Sequence, residues 1–163
     1  MESLTELTRT LGTALLQRKQ TVAVAESSAA GLISAALLAV PGASAFYRGG
    51  VVSYTVYARQ AFLGITDADM VGLRASTEPY ALLMARRVRE KLGTDWALGE
   101  TGATGPTGNR YGDAAGHACV AVIGPGIETA LTIETRHGGR ESNMWTFTRA
   151  ALELFEHAVA GKT

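Results

Sequence analysis

The feature that most constrains this chain is the run TVAVA, Thr21 to Ala25, and the way it ends. Five short, β-branched or small residues without a charge read as a strand buried in a sheet. The run breaks at Glu26, Ser27 and Ser28. The apolar segment GLISAALLAV, Gly31 to Val40, then reads as a helix stopped by Pro41 and Gly42. A buried strand feeding a helix demands layers on either side of a sheet, and the rest of the chain supplies them.

Leu4, Leu7, Leu11 and Leu15 recur at helical spacing and predict an amphipathic helix over 3–18. GGVVSYT, Gly49 to Thr55, predicts a second strand, with a short helix from Tyr57 to Leu63 closed by Gly64. STEPYALLMARRVREKLG carries full helix punctuation. Ser76 or Thr77 serves as cap, Glu78 and Pro79 suit the first turn, and Gly93 suits the end. Tyr80, Met84, Val88 and Leu92 form its apolar stripe. DWALGET, Asp95 to Thr101, predicts a third strand, followed by a glycine-rich loop from Gly102 to Gly116. HACVAVI and TALTIET are joined by GPGIE, a link short enough to force an antiparallel pair. A last helix is expected over 141–160, with Trp145, Thr148, Leu152, Phe155 and Val159 on one face. This alternation predicts one α/β domain over residues 1–163. It is a three-layer α/β/α sandwich on a mixed, mostly parallel sheet of about five strands, with one antiparallel strand.

Composition narrows the function classes. Fifteen basic residues balance fifteen acidic ones, so nothing favours a phosphate-backbone partner and no nucleic acid is expected. No run reaches the roughly 18 apolar residues of a spanning helix, so no membrane partner is expected. The N-terminus carries Glu2 and Glu6 in place of an apolar block, which argues against a secretory signal. The single cysteine, Cys119, lies in an apolar run as a small core residue, in keeping with a cytoplasmic compartment. His117, His137 and His157 are scattered, and neither a metal nor another cofactor is expected.

Two stretches lie where α/β sheets bind ligands, outside the carboxyl ends of strands. AESSAAG places two serines before a helix. Its backbone N–H groups would suit an anion or an oxyanion, and its serines are either helix caps or a nucleophile. The lipase-type G-x-S-x-G elbow is absent. TGATGPTGNRYG spaces Gly102, Gly105 and Gly108 three apart, which lets backbone approach a ligand. It is neither a P-loop nor a dinucleotide fingerprint. It reads equally as a flexible surface loop.

Together these pieces resemble one family. AESSAAGLISAALLAVPGASAFYRGGVVSYTVYARQAFLGI is similar to the opening of the CinA C-terminal domain family, which includes the PncC-type nicotinamide mononucleotide amidases. The family's wording there is A-E-S-C-T-G-G, V-P-G-A-S, R-G-x-V-T-Y-S-N-x-A-K and L-G-V. ETGATGPTGNRYGDAAGHACVAV resembles its T-G-I-A-G-P-x-G-G segment, and HGGRESNMWTFTRAALELF its G-D-R-x-x-I-R-x-x-A-x-x-x-A-L ending. The resemblance implies hydrolysis of the carboxamide of nicotinamide mononucleotide, without a metal, by a serine nucleophile with a lysine base, a tyrosine and an arginine. The serine falls on Ser27, the tyrosine on Tyr54 and the arginine on Arg140. The turn Ser28, Ala29, Ala30 and Gly31 and the loop residues Thr101, Gly102 and Gly105 would bind substrate. A homo-oligomer, a dimer, is the expected assembly.

The family's lysine falls on Arg59. A desolvated lysine can activate a serine, whereas an arginine keeps its proton in a protein. Around it, C-T-G-G has become Ser28-Ala29-Ala30-Gly31, S-N-x has become Thr55-Val56-Tyr57, and Asn109-Arg110-Tyr111 replaces more glycine-rich wording. Three readings are open: hydrolysis with another base such as Tyr54, hydrolysis of a related small amide with Arg59 as an electrophilic clamp, or a non-catalytic domain binding a small phosphorylated ligand.

Overall fold

The computed structural model describes residues 2–161. In chain order the elements are α1 (Glu2–Arg18), β1 (Val22–Glu26), α2 (Leu32–Leu38), β2 (Tyr47–Val52), α3 (Val56–Leu63), α4 (Glu78–Leu92), β3 (Trp96–Ala103), β4 (His117–Gly124), β5 (Ile127–Glu134) and α5 (Arg140–Ala160). One sheet runs in the order β2-β1-β3-β4-β5. β1 is parallel to both β2 and β3, while β4 is antiparallel to β3 and to β5. Only β4 therefore opposes the other strands, as the short Gly-Pro-Gly link requires.

Strand periodicity divides the core into two layers. Val22 and Val24 of β1, Trp96 and Leu98 of β3, and Val120 and Val122 of β4 face one side. There they meet Leu11 and Leu15 of α1, Ile33 and Leu37 of α2, and Phe155 of α5. The intervening Ala23, Ala25 and Ala97 face the other side, against Leu63 of α3 and Tyr80, Met84 and Val88 of α4. The first face is built of large side chains, with Trp96 edge-on to Phe155 at 5.6 Å between centroids. The second is built of small ones, so α4 lies close to the sheet. A Cβ on Gly99 would sit 2.0 Å from the Ala81 carbonyl oxygen. No alanine fits there without moving the helix. Burial of each large side chain contributes roughly 1.5–3 kcal/mol, so both layers stabilise the sheet that carries the loops.

β5 starts at Ile127 and not at Thr129, because its ladder with β4 begins at the Gly124–Ile127 pair, and three other elements also differ from the sequence reading, each for a physical reason. β2 spans Tyr47–Val52 and not 49–55, because its parallel partner β1 ends at Glu26, which pairs with Val52. The Ser53 N–H closes on the Glu26 carbonyl at 2.6 Å, and Tyr54 and Thr55 turn away from the sheet. Thr55 then caps α3 by accepting from the Ala58 N–H. α2 is shorter than 31–40, since Gly31 holds φ +95°, outside the helical region, and Val40 closes a tighter turn onto the Leu37 carbonyl. β3 runs on to Ala103 because its ladder with β4 continues to the Ala103–His117 pair. Asp95 stays outside it, accepting from the N–H and hydroxyl of Thr21 at 2.7 and 2.9 Å.

Helix punctuation follows the sequence. Thr77, not Ser76, caps α4 by accepting from the Tyr80 N–H, with Pro79 in the first turn. On α5, Thr148, Leu152, Phe155 and Val159 are buried as expected, while Trp145 lies at the edge of the packed face, 36% exposed. Among the described residues no helix is long and apolar enough to cross a membrane.

Candidate active site

The parallel strands β1, β2 and β3 end at the same edge of the sheet, and the turn after β1 is held there by two buried carboxylates. Glu26 closes β1 and is fully buried. Its carboxylate accepts from the backbone N–H groups of Gly31, Ile33 and Ser34 at 3.0, 3.0 and 2.8 Å and from the Ser34 hydroxyl at 2.6 Å. The free donors of the α2 N-terminus are thus satisfied from the preceding strand. Neither Ser27 nor Ser28 caps this helix, and the capping role expected of them belongs to Glu26.

Glu100, fully buried on β3, organises the other half of the turn. It accepts from the N–H groups of Ser27 and Ala29, both at 2.9 Å, and from the Ser28 hydroxyl through a short hydrogen bond. Burial pushes its carboxyl up to about 7. The bonds from Ser28, Ala29 and Ser27 pull the other way, and the nearby charge of Glu26 adds to the rise. The turn's N–H groups that looked available to an anion are therefore largely occupied by the protein's own carboxylates. The two serines part company as well. Ser28 is buried against Glu100, whereas Ser27 is half-buried and lines a cavity.

That cavity has a volume of about 510 Å³. Its walls come from the ends of three strands: Ser27 after β1, the Ser53–Tyr57 segment after β2, and Thr101 with Gly102 on β3. Arg59 and Tyr80 reach it from α3 and α4, and Asn109, Arg110 and Tyr111 close it from the glycine-rich loop. Two arginines and four tyrosines thus line the space, and no lysine, histidine or acid does so among the described residues.

Arg59 is mostly covered, its side chain 12% exposed, and pairs at 3.2 Å with Asp67, which is 85% exposed. Burial pushes the Tyr80 phenol up, and the Arg59 guanidinium beside it works in the opposite direction. Arg59 Nε is buried without a hydrogen-bond partner, and so is the hydroxyl of Ser53, a residue 4% exposed. Among the described residues these are the two buried side-chain polar atoms left unpaired, and both belong to residues of this one cavity.

The loop that closes the cavity is extensively bonded, not free. Arg74 grips Asp113 through two bonds of 2.7 and 3.0 Å, and Asn109 donates to the same carboxylate at 2.8 Å. The Asn109 amide oxygen takes the N–H groups of Tyr111 and Asp113. Arg74 also stacks 5.2 Å from the centre of the Tyr111 ring. His117 anchors the loop's end, with Nδ1 at 2.5 Å from Glu134 and Nε2 at 2.8 Å from the Ser76 carbonyl oxygen. Both ring nitrogens face acceptors, an arrangement that suits the doubly protonated ring.

Of the residues singled out from sequence, Ser27, Tyr54, Arg59, Thr101 and Gly102 line the cavity together. Ser28 and Ala29 lie buried beneath the turn, Ala30 is exposed, and Gly31 is half-buried on the outer side of the turn. Gly105 offers its carbonyl oxygen to Arg140 at 2.7 Å, and Arg140 also donates to the Tyr54 hydroxyl at 3.2 Å. Arg140 is thus tied to the rim through Tyr54 and is not itself a wall. Sequence reasoning missed Ser53, Tyr80 and Glu100. A carboxylate inside the apolar strand WALGETGA was the available signal for Glu100; nothing in the sequence singled out Ser53. Among the described residues no group of three or more His, Cys, Asp or Glu side chains is arranged to hold a metal ion.

Residues 4–159 match the model of the CinA C-terminal domain family. A CinA-like protein of Gloeobacter violaceus is 36% identical over 148 residues, covering 89% of this chain and 34% of the relative. One of Chlorobium limicola is 34% identical over 152 residues, covering 91% of this chain and 35% of the relative. The chain thus spans about a third of the length of the curated relatives it matches. Among solved structures, a CinA superfamily protein of Klebsiella pneumoniae superposes with a TM-score of 0.90 at 26% identity, over 97% of this chain and 98% of that one. A competence/damage-inducible protein of Agrobacterium tumefaciens gives 0.88 at 28% identity, over 96% and 95%. The chain belongs to the CinA C-terminal domain family.

Proposed function

We propose that this CinA-family domain binds a small pyridine nucleotide of the nicotinamide mononucleotide class and hydrolyses its carboxamide slowly, with Ser27 as nucleophile. The observation that carries the reading is a cavity lined by arginines and tyrosines and by no acid, two of whose residues, Arg59 and Ser53, each keep a buried polar atom unpaired. Most buried polar groups in folded proteins are paired, and both unpaired ones belong to residues of one cavity, so a partner from outside the chain, water or ligand, would meet them from that side. The cationic lining suits an anionic ligand, and the tyrosine rings suit a flat aromatic one.

In this reading the Ser27 hydroxyl oxygen attacks the carboxamide carbon. The Arg59 guanidinium faces the oxyanion that forms, which is where a fixed charge accelerates acyl transfer. The carbon–nitrogen bond then breaks, the nitrogen takes up the serine proton and leaves as ammonia, and water hydrolyses the acyl ester to the acid. Arg59 stabilises charge but accepts no proton. A missing general base costs about 10²–10⁴-fold, which is why the reaction is slow. The test is ammonia release from nicotinamide mononucleotide. Ser27→Ala abolishes it, with retained folding checked by circular dichroism.

A second reading is favoured by one observation: no lining residue is an ordinary proton acceptor at neutral pH. In that reading the domain binds a small phosphorylated ligand without turnover. Binding measured by calorimetry with no ammonia released, in wild type and Ser27→Ala alike, selects it.

A further inference from the structure

We infer that Glu100 is the positioning residue of the Ser27 turn: its carboxylate fixes the turn against the cavity, and its protonation loosens it. The inference deepens the amidase reading and rests on it only in treating Ser27 as the working side chain. Three donors from three consecutive residues converge on the two Glu100 oxygens: the N–H groups of Ser27 and Ala29 and the hydroxyl of Ser28. An ionised carboxylate accepts all three. A carboxylic acid carries a proton of its own, which must face one of those donors. A backbone N–H cannot reverse its role. The Ser28 hydroxyl can, by rotating to accept, and so the proton goes to the oxygen facing Ser28. The Ser27 and Ala29 bonds then end on an uncharged oxygen and lose about half their strength.

The surroundings make this proton exchange near neutral pH. Glu100 is fully buried, and its carboxyl titrates at about 7. The charge acting on it is that of Glu26, which is itself held by four donors of α2. The side chains of α2 and α5 buried against the sheet carry no charge. Val120 pairs with Glu100 from β4, and the buried side chains of α2 and of the first turns of α5 are Ile33, Leu37, Asn143, Phe147 and Thr148. Residues on three strands thus form a relay of position. β3 carries the carboxylate, the turn after β1 carries the nucleophile, and the cavity opens beside the end of β2.

The test pairs a spectroscopic readout with a kinetic one. In the wild-type chain, nuclear magnetic resonance follows the Ser27 and Ala29 amides and the Glu100 side-chain carboxyl carbon from pH 5 to 9. The expected result is one shared midpoint near 7. Amides that stay still, or a carboxyl that titrates below pH 5, overturn the inference. In Glu100→Gln the amide transitions vanish. Ammonia release from nicotinamide mononucleotide falls about tenfold in wild type as pH drops through the midpoint, levelling off below it, and is flat from pH 6 to 8 in Glu100→Gln. The variant's kcat falls about tenfold with KM changed less than threefold. A variant that keeps the wild-type pH profile overturns the inference. Shared titration of carboxyl and amides without ammonia at any pH upholds it while removing the amidase reading.

Discussion

The turn after β1 and the cavity beside it treat buried polar groups in opposite ways. In the turn, Glu26 meets four donors and Glu100 meets three, so each carboxylate removed from water is answered by the chain itself. In the cavity, the Ser53 hydroxyl and Arg59 Nε are equally removed from water and answered by nothing. Leaving a buried donor or acceptor unpaired costs about 1–3 kcal/mol. The fold satisfies seven hydrogen bonds in the turn and leaves two buried groups on residues of the adjoining cavity without a partner. The turn's polar groups hold Ser27 in place, while the two beside the cavity have no partner in the chain.

Substitutions on the two sides of that contrast should behave differently. The largest effect is expected for Glu26→Ala, which strips three N–H groups and a hydroxyl at the start of α2 of their acceptor. The domain should lose about 4 kcal/mol of stability, read by urea denaturation. A loss below about 1 kcal/mol would break the comparison on the turn side.

Glu100 gives the next effect, and its sign is set by burial. Its folded-state value of about 7 lies above the 4.5 of the free side chain, so the folded chain holds this proton more tightly than the unfolded chain does. The contribution to stability is complete below pH about 4.5, declines as pH rises to about 7, and is level above. Relative to Glu100→Gln, the wild type should lose on the order of 3 kcal/mol between pH 4.5 and 7.5. Parallel stability curves for the two proteins would contradict this.

Arg59→Lys sharpens the cavity side by restoring a group able to accept a proton, and ammonia release should rise about 100-fold. No gain, with fold and ligand binding intact, would remove the account of slow turnover. The smallest effect is expected for Ser53→Ala. Its hydroxyl has no partner to lose, so stability should stay within about 0.5 kcal/mol or rise, while affinity for nicotinamide mononucleotide falls about tenfold. Stability lost with affinity unchanged would make Ser53 an ordinary core residue.

Much of the scaffold was legible in the sequence because its signals are local. The Leu11 and Leu15 stripe, the Thr77 cap and the Pro125-Gly126 hairpin each follow from neighbours in the chain, and each holds in the structure. The end of β2 was misread because it is set by the end of β1, a residue distant in sequence. The site divides likewise. Ser27 could be placed from its position after a buried strand, and Arg59 from the family wording. Glu100 was missed because its role depends on a turn 71–73 residues earlier. Ser53 was missed because what marks it is a partner it lacks, and no sequence pattern encodes that.

The central claim, that the unpaired groups of the cavity are the ligand's own contacts, is tested most directly by nitrogen-15 magnetic resonance of arginine Nε–H groups during titration with nicotinamide mononucleotide. The account predicts that the Arg59 Nε–H resonance shifts saturably, together with the Ser53 amide, and that the Ser53→Ala chain needs about ten times more ligand to reach the same shift. Saturable shifts confined to Arg140 and the α5 end of the rim, with Arg59 and Ser53 unmoved, would contradict it.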